Sequence, residues 1–126
     1  MRSPDSPPSY SPLQARLIRG EVLLLDGAMG TELDRRGVKS PLPLWSAQAL
    51  LDAPEVVRAI HEDYLRAGAD VITTNTFGGN PLRMTEFGLG AKTLEINRTA
   101  VALARAEARD RAFVAASIGP VGQRLA

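Results

Sequence analysis

The sequence predicts an α/β chain built on a parallel sheet, and three observations carry that prediction. Short apolar or β-branched runs recur at 22–25, 70–74 and 113–117. Stretches with helical spacing of apolar residues separate them. A polar, glycine-rich segment follows each run: DGAMGT, NTFGGN and SIGPVG. Alternation of this kind is the signature of βαβ units.

Residues 1–12 hold four prolines and four serines. So little apolar surface predicts a disordered tail, with the folded part over 13–126. Ser11 and Pro12 nevertheless fit an N-cap and first helical position, and Gly20 fits the stop of a short helix through Leu13, Leu17 and Ile18. The run 22–25 (VLLL) is continuous, as in a strand buried on both faces. AMGTELDRRG predicts a short helix closed by Gly37, 38–44 a proline-containing loop, and LWSAQALL one or two helical turns.

From Pro54 onward, Val56, Val57, Ile60 and Tyr64 recur on one face, with Glu55, Arg58, Glu62 and Arg66 outward. Asp52 followed by Glu55 suggests a capping box, and Gly68 a helix end. The second strand, 70–74, is β-branched from Val71. Pro81 opens another short helix. A longer one over 93–109 turns Ile96, Ala100, Val101, Leu103 and Ala104 inward, and its arginines and glutamates read as a solvated face. The third strand covers 113–117. The pattern stops there without a closing helix, so the expectation is a truncated sheet.

Composition narrows the function. Fifteen basic and fourteen acidic residues leave a net charge of +1, which offers no field for nucleic acid or an anionic membrane. No apolar run reaches the roughly 18 residues of a membrane helix, and the N-terminus lacks the apolar stretch of a secretory signal, so a cytoplasmic protein is expected. The absence of cysteine excludes a disulfide scaffold, a cysteine nucleophile and any thiolate metal site within the chain. His61, the single histidine, reads as a surface or packing residue. Trp45 reads as an anchor over the core, and Met29 as a core filler as readily as a site residue.

In parallel α/β folds, ligands bind beyond the carboxyl ends of the strands, where the three polar segments fall. Asp26 ends an apolar run, where a bare carboxylate would be expensive to desolvate. It therefore calls for a cation or several donors. Gly27 and Gly30 let backbone amides approach a ligand, and an acceptor beside such a turn suits a zwitterion such as an amino acid. The same residues also suit a plain strand-to-helix turn capped by Asp26. Asn75 and Thr76 would bring neutral donors and acceptors to the mouth of the second strand, or serve only local loop bonds. Neither a G-x-G-x-x-G nor a P-loop lysine is present.

LLLDGAMGTEL, LWSAQALL, PEVVRAIHEDYLRAGADVITTNTF, EINRTAVALARA and SIGP, in that order, resemble the homocysteine S-methyltransferase family. The resemblance runs from about Val22 to Gly122 and includes the homocysteine-binding module of cobalamin-dependent methionine synthase, toward which TNTF leans; LWS occurs also in the S-methylmethionine type. It implies that this chain is the first three βα units of a (β/α)₈ TIM barrel, which needs about 250 residues. It further implies methyl transfer to the homocysteine thiolate to form methionine, with zinc held by three cysteines that this chain lacks. Cobalamin on another domain is one methyl carrier consistent with it; the methyl donor itself stays open.

Carried over by residue, Asp26 holds the substrate amino group, Gly27, Ala28 and Met29 face its carboxylate, and Asn75 and Thr76 rim the pocket. No catalytic residue and no metal ligand are assigned. The expected partners are homocysteine and a remaining barrel segment or further domains, and the chain alone is expected to be inactive. The alternatives are a non-catalytic half-barrel and a different small-molecule-binding TIM-barrel enzyme.

Overall fold

The computed structural model describes residues 10–120. The expected disordered tail therefore lies outside the described residues over 1–9, as does the end of SIGPVG. Within them, Ser11 begins structure rather than ending a tail. Its hydroxyl accepts from the Gln14 amide at 3.3 Å and the Gln14 side chain accepts from the Ser11 amide at 2.9 Å, a capping box that starts α1 (Pro12–Ile18). Gly20, Gly37 and Gly68 all take positive φ just past helix ends, as their places in the sequence predicted.

The next elements are α2 (Met29–Arg35), a 3₁₀ turn at Trp45–Gln48, α3 (Ala49–Asp52) and α4 (Pro54–Arg66). They are followed by β1 (Val71–Thr73), α5 (Pro81–Glu86), a 3₁₀ turn at Gly90–Lys92, α6 (Thr93–Ala108) and β2 (Phe113–Ala115). The two strands pair in parallel, with Val71 opposite Phe113 and Thr73 opposite Ala115. The helices between them make the crossover that parallel pairing requires.

The expected first strand is reduced to a single parallel bridge, Leu25 to Val71, with the Asp26 amide donating to Val71 O at 2.9 Å. The expectation that it is buried on both faces is also corrected: Val22 is 83% and Leu25 64% exposed. A parallel strand is buried when neighbours flank both edges and helices cover it. Among the described residues this segment has β1 on one edge only. Spatial order still follows chain order, so three consecutive segments line up as the start of a parallel sheet, although only two qualify as strands.

One apolar core joins α2 to α6 through Leu33, Leu44, Leu50, Val57, Ile60, Met84 and Ile96. Each such fully buried side chain contributes roughly 1.5–3 kcal/mol. A second cluster, of Leu65, Ile72, Ala104 and Ala108, glues α4 and α6 to the sheet. Ile96, Ala100, Ala104 and Ala108 recur every fourth residue, and the small side chains of the three alanines let α6 lie close against α4. Arg58 to Glu107 and Arg111 to Glu62 tie the outer surfaces of the α4–α6 layer.

Three local expectations shift. The buried stripe of α4 is Val57, Ile60, His61 and Leu65, so the helix is rotated from the predicted face, and Val56 and Tyr64 sit half-buried at its margin. The Asp52–Glu55 capping box does not form; Ala53 is the N-cap and Asp52 accepts from Gln48 instead. Val101 is 37% exposed and lines an open groove with Arg105, Val114 and Ala116. No helix among the described residues is long and apolar enough to cross a membrane.

Candidate functional site

The carboxyl end of the sheet carries the polar segments, as the fold class predicted. Asp26 follows directly on the Leu25 bridge and points at β1. Its two carboxylate oxygens are taken by one residue: Thr73 donates its amide to Oδ2 at 2.8 Å and its hydroxyl to Oδ1 at 2.6 Å. Thr73 shares a face of β1 with Val71, and from there its hydroxyl reaches Asp26 on the neighbouring segment. Each carboxylate oxygen keeps a free lone pair. Among the described residues Asp26 takes part in no ion pair.

Asp26 opens on a cavity of about 330 Å³ whose wall includes Gly27, Met29, Gly30, Thr73, Asn75 and Phe77. Four of the six residues expected at the site thus share one cavity. Met29 lines this cavity and also packs on the main core. Ala28 lies outside the wall, and Thr76 lines a neighbouring cavity of about 430 Å³ with Asn80, Asn97 and Ile118.

Asn75 and Thr76 are buried, 3% and 8% exposed, and both spend hydrogen bonds on neighbouring loops. Asn75 Nδ2 donates to Ser46 O at 2.7 Å, fixing the Trp45 turn over the cavity. Thr76 donates its hydroxyl to Ser117 O at 2.6 Å. Its single proton being spent there, Thr74 donates to Thr76 Oγ1 at 2.8 Å and accepts from the Ser117 amide at 3.2 Å. The ends of β1 and β2 are stitched together by this chain of hydroxyls.

Trp45 is not a core anchor. It sits half-buried at the rim, with the Arg83 guanidinium 3.9 Å from its ring centroid and Phe77 at 5.7 Å. Arg83 is steered there by a 3.0 Å bond to Pro43 O. Trp45 holds a φ of 50°, the left-handed region that a bulky residue enters only when its surroundings impose it.

His61 is fully buried rather than on the surface, and neither ring nitrogen meets a hydrogen-bond partner among the described residues. Burial pushes its pKa down, while the negative charges of Asp26 and Glu107 pull the other way. Tyr64, one turn further along α4, stands behind the DGAM turn and donates to Ala28 O at 3.0 Å. Burial pushes its phenol up, and Glu32 and Asp26 add to the shift. Thr73, Tyr64 and Phe77 were not expected at the site from the sequence, Tyr64 being read only as part of the apolar face of α4. Alternation past Val71 marks Thr73, but a helix-to-loop contact such as Tyr64 to Ala28 leaves no spacing signal.

Comparison with known proteins fits this geometry. The family model for homocysteine S-methyltransferase matches residues 23–126. The homocysteine S-methyltransferase of Escherichia coli is 39% identical over 92% of this chain, and YbgG of Bacillus subtilis 36% over the same share. The chain spans only 41% of the length of each. A crystal structure of the E. coli homocysteine methyltransferase MmuM in its metallated form superposes with a TM-score of 0.78 at 38% identity, covering 89% of this chain and 42% of that one. Its oxidized form gives 0.75. These names lend no support to the methionine synthase type or to cobalamin. With the family model spanning most of its length, the chain belongs to the homocysteine S-methyltransferase family.

Proposed function

We propose that this chain forms the amino-acid-binding part of a full-length enzyme that transfers a methyl group to homocysteine, giving methionine. The observation that carries the reading is the Asp26 carboxylate, oriented by Thr73 from two sides and open to the cavity. A substrate ammonium supplies the cation that Asp26 does not find among the described residues. The backbone of Gly27, Ala28 and Met29 continues the chain from Asp26, and the reading assigns it to the α-carboxylate carried on the same carbon. Asn75 and Thr76 act as builders of the rim, since their donors hold Ser46 and Ser117.

Zinc does not fit the residues present. The sequence has no cysteine, His61 is enclosed in the core, and no group of three His, Asp or Glu side chains converges among the described residues. The share of the reaction assigned to this chain is therefore recognition and orientation of the substrate, not activation of its sulfur.

The test is homocysteine titration of the full-length enzyme and its Asp26→Asn variant. Loss of one charged partner of an enclosed ammonium weakens binding by on the order of 2–5 kcal/mol. Equal affinities would remove Asp26 from the site and overturn the reading.

A further inference from the structure

Gly27 and Ala28 carry a backbone turn with two different sides. On one side lies the cavity, lined by Gly27, Met29 and Gly30. On the other lies Tyr64, which reaches the turn from α4. A Cβ placed on Gly27 would stand 2.7 Å from the Tyr64 hydroxyl oxygen and 3.0 Å from two of its ring carbons. Glycine at 27 is thus what lets the ring lie flush against the turn. The same hydroxyl donates to Ala28 O at 3.0 Å.

In a trans peptide the carbonyl and the following N–H point in opposite directions. Tethering Ala28 O to Tyr64 therefore turns the Met29 N–H away from the Tyr64 hydroxyl, and Met29, unlike Tyr64, lines the cavity. Ala28 has no side chain able to impose that orientation, and it makes no side-chain cap for α2. The phenol is protonated at neutral pH, and hence a donor, because its ordinary pKa lies near 10, and burial shifts it further up.

We propose that Tyr64 is a positioning residue for the α-carboxylate of the substrate: it locks the peptide between residues 28 and 29 with its N–H facing the cavity. The inference rests on the reading of the 26–29 turn as the cradle of homocysteine. It gives α4 a role in specificity, because the locked peptide rewards a ligand carboxylate and does nothing for the amino group or the thiol.

The experiment uses the full-length enzyme and two ligands, homocysteine and aminopropanethiol, which is homocysteine without its carboxylate. Tyr64→Phe removes one hydroxyl and should raise the homocysteine KM roughly threefold to tenfold, the range for one lost hydrogen bond. kcat at saturating homocysteine, and inhibition by aminopropanethiol, should be unchanged. Asp26→Asn should weaken both ligands, and that result reports on the underlying reading alone. Tyr64→Phe weakening both ligands equally, or neither, would overturn the role of Tyr64 while leaving Asp26 to be judged separately. A second measurement is Gly27→Ala in both backgrounds. The added methyl should raise the homocysteine KM less when the Tyr64 hydroxyl is already gone, and strictly additive effects would contradict the contact.

Discussion

Thr73 binds both oxygens of Asp26, one through its amide and one through its hydroxyl, across 47 residues of sequence. The amide bond is fixed by the strand and survives any substitution but proline. The hydroxyl bond does not. Thr73→Val keeps the shape of the side chain and removes the 2.6 Å bond, leaving Oδ1 short of a donor. The expected cost is about 1–3 kcal/mol. Homocysteine affinity of the full-length enzyme should fall accordingly, whereas Thr73→Ser, which keeps the hydroxyl, should stay near the parent. Equal affinities for the Val and parent proteins would mean that the amide alone orients Asp26.

His61 should impose a pH dependence on stability. Its folded-state pKa is lowered by burial, while the unfolded chain binds a proton below about 6.5. The unfolded state then holds more protons than the folded one, so stability is complete above that value and declines as pH falls toward the folded-state pKa. Denaturant unfolding of parent and His61→Leu between pH 5 and pH 7.5 checks this. The variant should lose this part of the slope, and at neutral pH it should be no less stable, because two buried nitrogens without partners among the described residues are removed. An unchanged slope would show that other groups produce it.

Asp70 acts at the opposite end of the sheet and over a different range. Its carboxylate accepts from the Leu24 amide at 3.0 Å and pairs with Arg16 at 2.9 Å, and these hold its pKa below the ordinary value. A lowered carboxyl pKa contributes stability above its unfolded value, near 3.9, and loses it as pH falls through the folded value. Asp70→Asn retains an acceptor for Leu24 but loses the attraction of Arg16. Acid titrations should show a flatter decline below about pH 4 for the variant, with homocysteine affinity at neutral pH unaffected. A decline as steep as the parent's would exclude Asp70 as a source.

Gly78 tests the loop after β1. A Cβ there would overlap the Leu44 carbonyl, which is backbone and has no rotamer to yield. Gly78→Ala should destabilise by about 1–3 kcal/mol, the usual scale for forced overpacking. Gly30→Ala, whose Cβ would meet nothing within 4 Å, is the matched control and should be neutral or stabilising. Thermal melts of the two variants should separate clearly, and equal melting temperatures would show that the loop simply shifts.

Much of this arrangement was legible beforehand because it is local. Ser11, Gly20 and Gly68 mark helix ends through caps and positive φ, and Asp26 was marked by its place at the end of an apolar run. The errors arise where tertiary context decides. Residues 22–25 read as a doubly buried strand, yet apolar content alone does not supply the second neighbour that would bury them. The α4 face was misjudged because His61 reads as polar, although the core encloses it. Loop bonds were one of the two duties open to Asn75 and Thr76, but their partners, Ser46 and Ser117, lie 29 and 41 residues away and left no local signal.

The link between Leu24 and Asp70 closes a loop of 46 residues, and this bears on the order in which the molecule assembles. Helices such as α4 can form within about a microsecond from contacts a few residues apart. Parallel pairing has no such short cut, because a whole crossover must be in place before the first ladder bond can form. Contacts this distant in sequence slow folding. α4 itself can therefore form ahead of the sheet, whereas the Asp26–Thr73 pairing has to wait for the same closure, and the packing of α4 on α6 for one of similar span, its Arg58–Glu107 contact reaching across 49 residues. The pocket at the end of the sheet thus depends on a closure whose two ends lie far apart in the chain, and substitutions that loosen Leu24 from Asp70 would delay its appearance before they change what it binds.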